Sequence, residues 1–125
     1  MTTWTNDDLS SIGNAEELRI ASLRSDGTSR KPVIIWVVRH GDDLYVRSVN
    51  GRTAAWFRGV QTRYEGRIWA GGVEQDVAFV EEPNPGINDQ IDAVYRTKYR
   101  RYAASIIDSI NSPAARAATI KLVPR

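Results

Sequence analysis

The sequence predicts one mainly β (α+β) domain, residues 1–125, in which six antiparallel strands form a small barrel wrapped by short helices. Three observations carry this prediction. Apolar and polar residues alternate along several short segments, tight turns join those segments, and helical patterns lie between the hairpins. Strands joined by tight turns pair antiparallel. So many strands in a chain this short, with helices inserted between hairpins, favour a barrel.

A short helix is predicted at the N-terminus. Thr5 is a suitable N-cap, and Asp8 follows it at the spacing of an acidic capping box. Trp4 and Leu9 occupy the two positions of a hydrophobic staple. Gly13 is expected to end this helix.

Three strands are predicted next. The first covers residues 18–24 and is followed by a turn over 25–29. The second covers residues 32–38, a continuous apolar, β-branched run expected to be buried on both faces. A hairpin turn at 40–43 leads to the third strand, residues 44–49.

The second half of the chain repeats this alternation of helix and hairpin. Residues 53–60 suit a short helix capped at Thr53. Residues 64–70 and 73–80 are predicted strands, joined by the hairpin signal Gly71-Gly72.

The C-terminal third contains the clearest helical pattern. Residues 103–116 are ambiguous, and residues 119–123 are expected to form the last strand. The helix before them has one apolar stripe, in which the tyrosines are interpreted as packing residues: Ile87, Ile91, Val94, Tyr95, Lys98, Tyr99 and Tyr102.

Composition excludes several kinds of site. The chain has no Cys and one His, which excludes disulfide scaffolds, thiolate zinc sites, iron–sulfur clusters and multi-His metal sites. That single His40 lies beside a turn, and solvent exposure is its commoner state. Paired carboxylates such as Glu81 and Glu82 are adjacent in sequence, so in a strand they point to opposite faces. No metal is expected.

Charge is small overall but unevenly distributed. The net charge is +2, and the cations comprise 14 Arg and 3 Lys. Residues 19–67 and 96–125 are basic, whereas 1–18 and 68–95 carry acids and no bases. This pattern favours a small anion site over a polyanion track, although differently charged solvated faces are the simpler interpretation. No signal peptide or membrane-spanning run is seen, and a cytoplasmic protein is expected.

Two basic loops are the best candidates for binding an anion. Ser29, Arg30 and Lys31 precede the buried strand, where hydroxyl and cationic groups can surround a phosphate. A hairpin over residues 33–49 would bring its two free ends together. Arg30 and Lys31 would then lie near Ser48 and Asn50.

The second loop supplies further donors. It contains Arg47, Ser48, Asn50 and Gly51, and the start of the next helix points N–H groups outward. Trp56 follows this loop and is the tryptophan best placed to line a ligand pocket. Solvation of each loop residue is an equally good interpretation.

These segments resemble the flavin-binding split-barrel superfamily, and within it the deazaflavin-dependent nitroreductase group. The resemblance rests on residues 29–38, the Gly41-Asp42-Asp43 hairpin with its following strand, Asn50-Gly51, and residues 55–57. Residues 95–99 and 119–125 look like a related bacterial domain family of unknown function.

The resemblance implies a six-stranded split barrel, usually a homodimer, that holds the phosphate of FMN or a deazaflavin. It matches residues 29–31 to the phosphate loop and Ser48, Asn50, Gly51 and Trp56 to a second wall. A flavin- or deazaflavin-dependent oxidoreductase is one hypothesis. A non-enzymatic barrel that has lost the cofactor ranks close behind. A nucleic-acid-binding barrel that uses residues 96–101 and the basic segment 19–67 ranks third.

Overall fold

The computed structural model describes residues 3–125, and within them seven strands form one antiparallel sheet. The strands are β1 (Leu18–Ser22), β2 (Val33–Ile35), β3 (Val37–His40), β4 (Asp43–Arg47), β5 (Glu65–Ala70), β6 (Val73–Glu81) and β7 (Thr119–Pro124). The helices are α1 (Asn6–Gly13), α2 (Ala55–Arg63), α3 (Pro85–Lys98), α4 (Ala104–Ile110) and α5 (Pro113–Arg116).

The strand order is β2-β1-β5-β6-β7-β4-β3, so two strands that are consecutive in the chain lie at opposite edges of the sheet. The chain passes from one edge to the other at Trp36, which brings the sheet nearly to closure. The predicted barrel with short helices is confirmed. The predicted count of six strands is one too low, because the single strand expected over 32–38 is divided at Trp36.

The two halves of that divided strand have different neighbours and different exposure. Val33 is paired with Ile20 of β1, whereas Val38 is paired with Tyr45 of β4. The prediction of burial on both faces is therefore confirmed for β3, where Val37 and Val38 are both buried. It is wrong for β2, where the exposed fraction of Ile34 is 62%. β2 is an edge strand, so its outer edge has no partner strand among the described residues. The hairpin is also shorter than predicted, since it begins only at β3.

Two buried clusters hold the sheet and helices together. Val37 belongs to the larger cluster, which joins one sheet face to α1 and α2. Val38 belongs to the smaller cluster under α3, with Tyr95 and Tyr99. Trp36 stacks on Tyr99 with ring centroids 3.8 Å apart. The predicted packing role of Tyr95, Tyr99 and Tyr102 is confirmed, but the helix is shorter than the predicted stripe, because α3 ends at Lys98 and the last two tyrosines follow it.

The N-terminal helix is held as its sequence predicts. The Thr5 hydroxyl accepts a hydrogen bond from the Asp8 N–H at 3.1 Å. Trp4 and Leu9 are buried, and the Trp4 indole N–H donates to the Leu122 carbonyl at 3.0 Å. The staple therefore fixes α1 against β7.

The β5–β6 turn requires glycine at both of its central positions. Gly71 and Gly72 have φ of +56° and +80°, as a two-residue hairpin turn requires. A Cβ at Gly71 would lie 2.1 Å from the Ser11 carbonyl oxygen, so α1 packs directly on this turn.

The structure corrects the predicted start of α2 and resolves the ambiguous region 103–116 into two helices. Thr53 does not cap α2, because residues Gly51–Thr53 form a 3₁₀ turn that delays the helix to Ala55. The ambiguous region forms α4 and α5, and Ser112 caps α5 by accepting from the Ala115 N–H at 3.2 Å. In the described part of the chain, no helix is long and apolar enough to cross a membrane.

A fully buried arginine connects the sheet to the helices around it. Arg47 Nε donates to Thr119 Oγ1 at 2.9 Å, and its terminal nitrogens reach Asp92 Oδ1 at 2.5 Å, Asn88 Oδ1 at 2.9 Å and Asn111 Oδ1 at 3.0 Å. The Arg47 side chain has no exposed surface. Buried charges persist only when paired and hydrogen-bonded, and this network meets both conditions.

We expect Asp92→Ala to lower the free energy of unfolding by about 3–5 kcal/mol, because it leaves the buried Arg47 guanidinium without its carboxylate. Asp42→Ala is the matched control. It removes a 91% exposed carboxylate 3.9 Å from Arg39 and should change stability by less than about 0.5 kcal/mol. Urea unfolding measures both, and equal effects would contradict the importance of the Arg47 network.

Candidate functional site

Two adjoining cavities lie where β1, β2 and α2 meet. The first, here the loop cavity, has a volume of about 250 Å³ and includes Ser22, Arg24, Arg30 and Lys31. The second, here the tryptophan cavity, has a volume of about 380 Å³. The two cavities share Val33 and Trp56 in their walls. The tryptophan cavity is lined by Val33, Ile34, Ile35, Trp36, Arg47, Val49, Asn50, Trp56, Ile106 and Ile110.

The loop cavity is lined by positively charged side chains that can donate hydrogen bonds. Arg24, Arg30 and Lys31 line it together with the hydroxyl of Ser22, and no carboxylate lines it. Among residues 3–125, none of these three cations forms an ion pair with an acid. Cations and a hydroxyl around one small cavity suit a phosphate or a carboxylate.

A hydrogen-bonded turn gives this loop its shape. Arg24 donates to the Ser29 carbonyl at 2.9 Å, and the Arg30 N–H donates to the Ser22 carbonyl at 2.9 Å. Asp26 accepts from the Thr28 hydroxyl at 2.6 Å, and this bond holds the pKa of the Asp26 carboxyl below its ordinary value. The turn therefore keeps Arg24 and Arg30 on the same side of β1.

Arg30 has a donor that the protein leaves unused. Its Nε is buried without a hydrogen-bond partner, and its terminal nitrogen reaches Thr62 Oγ1 only at 3.4 Å. A Cβ at Gly59 of α2 would lie 3.0 Å from that Nε and 2.9 Å from Ser22 Oγ. Because Gly59 has no side chain, Arg30 and Ser22 fit against the helix. Buried donors without a protein partner are commonly satisfied by an ordered water molecule or a bound ion.

The tryptophan cavity is lined mainly by aromatic and apolar side chains. Trp36 and Trp56 are half-buried, and three exposed apolar side chains surround them: Ile34, Val49 and Ile106, at 62%, 47% and 48% exposure. Asn50 is the polar residue at its rim. Aromatic walls with a few polar groups suit a flat, largely apolar ring system.

The structure brings several of the predicted site residues together. Arg30 and Lys31 line the loop cavity, Asn50 lines the tryptophan cavity, and Trp56 lines both. The two basic loops therefore meet across Trp56 and Val33, and not through the long hairpin that the sequence predicted.

The remaining predicted residues lie behind or beside the cavities. Arg47 forms part of a wall, but the Arg47 network occupies its donors. Ser29 donates to the Arg30 carbonyl at 3.2 Å, and the buried Ser48 hydroxyl has no partner. Gly51 is buried, and a Cβ there would lie 3.2 Å from the Cβ of Ala114.

Ser22, Arg24 and Gly59 were missed by the reasoning from sequence. Ser22 ends β1 and Arg24 follows it, so the antiparallel return of the chain through 25–29 was the available signal for both. Gly59 had no such signal, because its role depends on how α2 packs against β1. Across the described residues, no group of three or more His, Asp or Glu side chains could hold a metal ion.

We expect Gly59→Ala to lower the free energy of unfolding by about 1 kcal/mol, because its Cβ would crowd the buried Ser22 Oγ and Arg30 Nε and this overpacking outweighs the helix propensity of alanine. Gly66→Ala is the comparison variant. Its Cβ would lie 2.3 Å from the Ala21 carbonyl oxygen, and a loss of about 1–3 kcal/mol is expected. Urea unfolding of both variants tests this, and a stabilised Gly59→Ala protein would show that Ser22 and Arg30 move away from the helix.

Several solved structures share this fold at low sequence identity. A candidate pyridoxamine 5′-phosphate oxidase from Listeria innocua is 16% identical with a TM-score of 0.68, covering 96% of this chain and 92% of its own. An F420-H2 dependent reductase is 12% identical with a TM-score of 0.61, covering 86% and 93%. A FAD-binding protein from Mesorhizobium loti is 16% identical with a TM-score of 0.58, covering 98% and 89%.

At these identities the likenesses show the fold alone, and they confirm the split barrel that the resemblance in the sequence implied. No curated protein matches the sequence significantly. The family described as "Uncharacterized protein conserved in bacteria (DUF2255)" matches residues 8–122. The chain therefore belongs to this bacterial family.

Proposed function

We propose that the protein binds a flavin or deazaflavin cofactor, FMN or a relative of F420, across the loop cavity and the tryptophan cavity. One observation carries the proposal: a cationic cavity and an aromatic cavity share Trp56 and Val33 in their walls. These cofactors have a phosphate group, which would suit the cationic cavity, and a flat ring system, which would suit the aromatic cavity.

The residues divide into two roles under this proposal. Arg30, Lys31 and Arg24 neutralise the phosphate, and the unpaired Arg30 Nε and the Ser22 hydroxyl donate hydrogen bonds to it. Trp36 and Trp56 contact the ring system. Asn50 is placed to hydrogen-bond a polar edge of the ring.

The proposed activity is that of an oxidoreductase. A bound flavin or deazaflavin would supply hydride or electron transfer. This chain's residues would anchor the phosphate, orient the ring and exclude water from one of its faces. The names of two structural neighbours, an F420-H2 dependent reductase and a FAD-binding protein, support this class of cofactor.

Titration of the purified protein with FMN and, separately, with F420 tests the proposal by cofactor fluorescence. We expect one of the two to bind, and Arg30→Met to raise its Kd at least about tenfold, because a charge-assisted hydrogen bond contributes about 1.5–3 kcal/mol. Arg58→Gln is the control. It removes an exposed cation from α2 that lines neither cavity and should leave Kd within about twofold.

Which of the two cofactors binds decides between the flavin and the deazaflavin class. Binding of neither at high micromolar concentration would overturn the proposal and favour a barrel that has lost its cofactor. Equal weakening by Arg30→Met and Arg58→Gln would remove the loop cavity as the phosphate site.

We further propose that the protein is a homodimer, with the tryptophan cavity at its interface. Ile34, Val49 and Ile106 are exposed around this cavity, and the outer edge of β2 has unpaired backbone groups. Exposed apolar patches beside a free strand edge favour association.

Light scattering after size-exclusion chromatography should give twice the chain mass of 14.0 kDa. Ile106→Lys should yield a monomer, because it places a charge within the proposed apolar interface. Val80→Lys changes a residue of β6 that is similarly exposed, at 44%, and should remain dimeric. A monomeric unmodified protein at tens of micromolar would refute the dimer.

A further inference from the structure

A third cavity lies between the end of α1, β3 and the last turn of α3. Its volume is about 590 Å³, and it shares no lining residue with the loop cavity or the tryptophan cavity. Ala93 and Val94 form an apolar part of its wall. We call it the α3 cavity, and it is also lined by Gly13, Asn14, Arg39, Thr97, Lys98, Arg100 and Arg101.

The α3 cavity has more positive than negative charge. Glu16 is paired with Arg101, and Asp42 lies 3.9 Å from Arg39. In the described part of the chain, Lys98 and Arg100 have no carboxylate partner. Four cations therefore surround one concave space that two acidic groups only partly neutralise.

Lys98 is the cation held most firmly in this space. Its Nζ donates to the Val37 carbonyl at 2.5 Å and lies 5.1 Å from the centre of the Tyr99 ring. Burial disfavours the charged form and lowers the pKa of Lys98 to about 8, and the nearby Glu16 carboxylate opposes that shift. An anion in the cavity would favour the charged form.

Arg39 is fixed on the opposite wall. Its Nε donates to the Gly41 carbonyl at 2.8 Å, and its stem lies against Gly13, where a Cβ would be 3.0 Å from the Arg39 Cβ. The Lys98 ammonium of α3 and the Arg39 guanidinium of β3, each hydrogen-bonded to a backbone carbonyl, thus lie on two walls of the cavity. Such preorganised donors lose little freedom when a ligand binds.

We propose that the α3 cavity binds a small phosphorylated molecule with at least two negative charges, at a site separate from the proposed cofactor site. Three guanidinium groups and one ammonium group match the several oxygens of phosphate groups. The Thr97 hydroxyl is a further donor, and Val94 faces the carbon skeleton. A polynucleotide fits less well, because the acidic segment 68–95 interrupts the basic charge along the chain.

Inorganic pyrophosphate is the probe for the first test, by calorimetry on the full chain at low ionic strength. We expect measurable binding whose Kd rises at least about tenfold in the double variant Lys98→Met/Arg100→Gln, since two charge-assisted contacts are lost. Arg96→Gln is the matched control. It removes an exposed cation from the same helix that does not line the cavity, and Kd should stay within about twofold.

Proton linkage on the unmodified protein provides a second readout. Side-chain NMR should show the pKa of Lys98 rising from about 8 toward its ordinary value when pyrophosphate binds. The Lys98 titration is the readout and not the net proton uptake, because pyrophosphate also loses a proton in this pH range. The other charged groups at the cavity are Glu16, Arg39, Asp42, Arg100 and Arg101.

Four results would overturn the proposal. The first is no binding at millimolar pyrophosphate, and the second is equal weakening by Arg96→Gln. The third is a set of amide shifts confined to residues 22–31, which would assign the anion to the loop cavity. If the double variant does not fold, the amide shifts of the unmodified protein at residues 97–101 and the Lys98 titration decide. Displacement of pyrophosphate by single-stranded DNA at lower concentration would assign the surface to nucleic acid instead.

Discussion

The buried guanidinium of Arg47 is the interaction on which the placement of the helices depends. It extends from β4 to Asp92 of α3, to Asn111 after α4 and to Thr119 of β7. A charge removed from water is tolerated only where every donor finds an acceptor, so these elements must occupy fixed positions together. Arg116 also pairs with Asp92, which ties α5 to the same point. Both the tryptophan cavity and the α3 cavity have walls built from elements that this network holds.

The connection at Trp36 determines where a ligand can enter the fold. β2 and β3 lie at the two ends of the sheet order, so the barrel closes there by side-chain packing and not by a ladder of hydrogen bonds. Trp36 stacks on Tyr99 at this point and also lines the tryptophan cavity. The loop cavity lies on the other side of Val33 and Trp56. The interruption between β2 and β3 at Trp36 thus places the tryptophan cavity beside the cationic loop cavity.

Local signals predicted much of the fold, and long-range packing determined the rest. The staple of Trp4 and Leu9 and the turn at Gly71 were predictable because their partners lie a few residues away. The division at Trp36 was not, since it depends on which strands occupy the sheet edges. Arg47 illustrates the limit for the site: a sequence shows a cation after an apolar strand, but its carboxylate partner Asp92 lies 45 residues further along the chain.

The edges of the sheet also have a thermodynamic consequence. Within residues 3–125, β2 and β3 are not neighbours in the hydrogen-bonded order, and the backbone at Trp36 is their direct covalent link. A molecule in the tryptophan cavity touches Ile35 on one side and Val49, just beyond β4, on the other. If the proposed cofactor binds there, it would contact both ends of the sheet and would stabilise the closed barrel by linkage. Protection of the β2 amides from hydrogen exchange would then rise with the amount of cofactor bound.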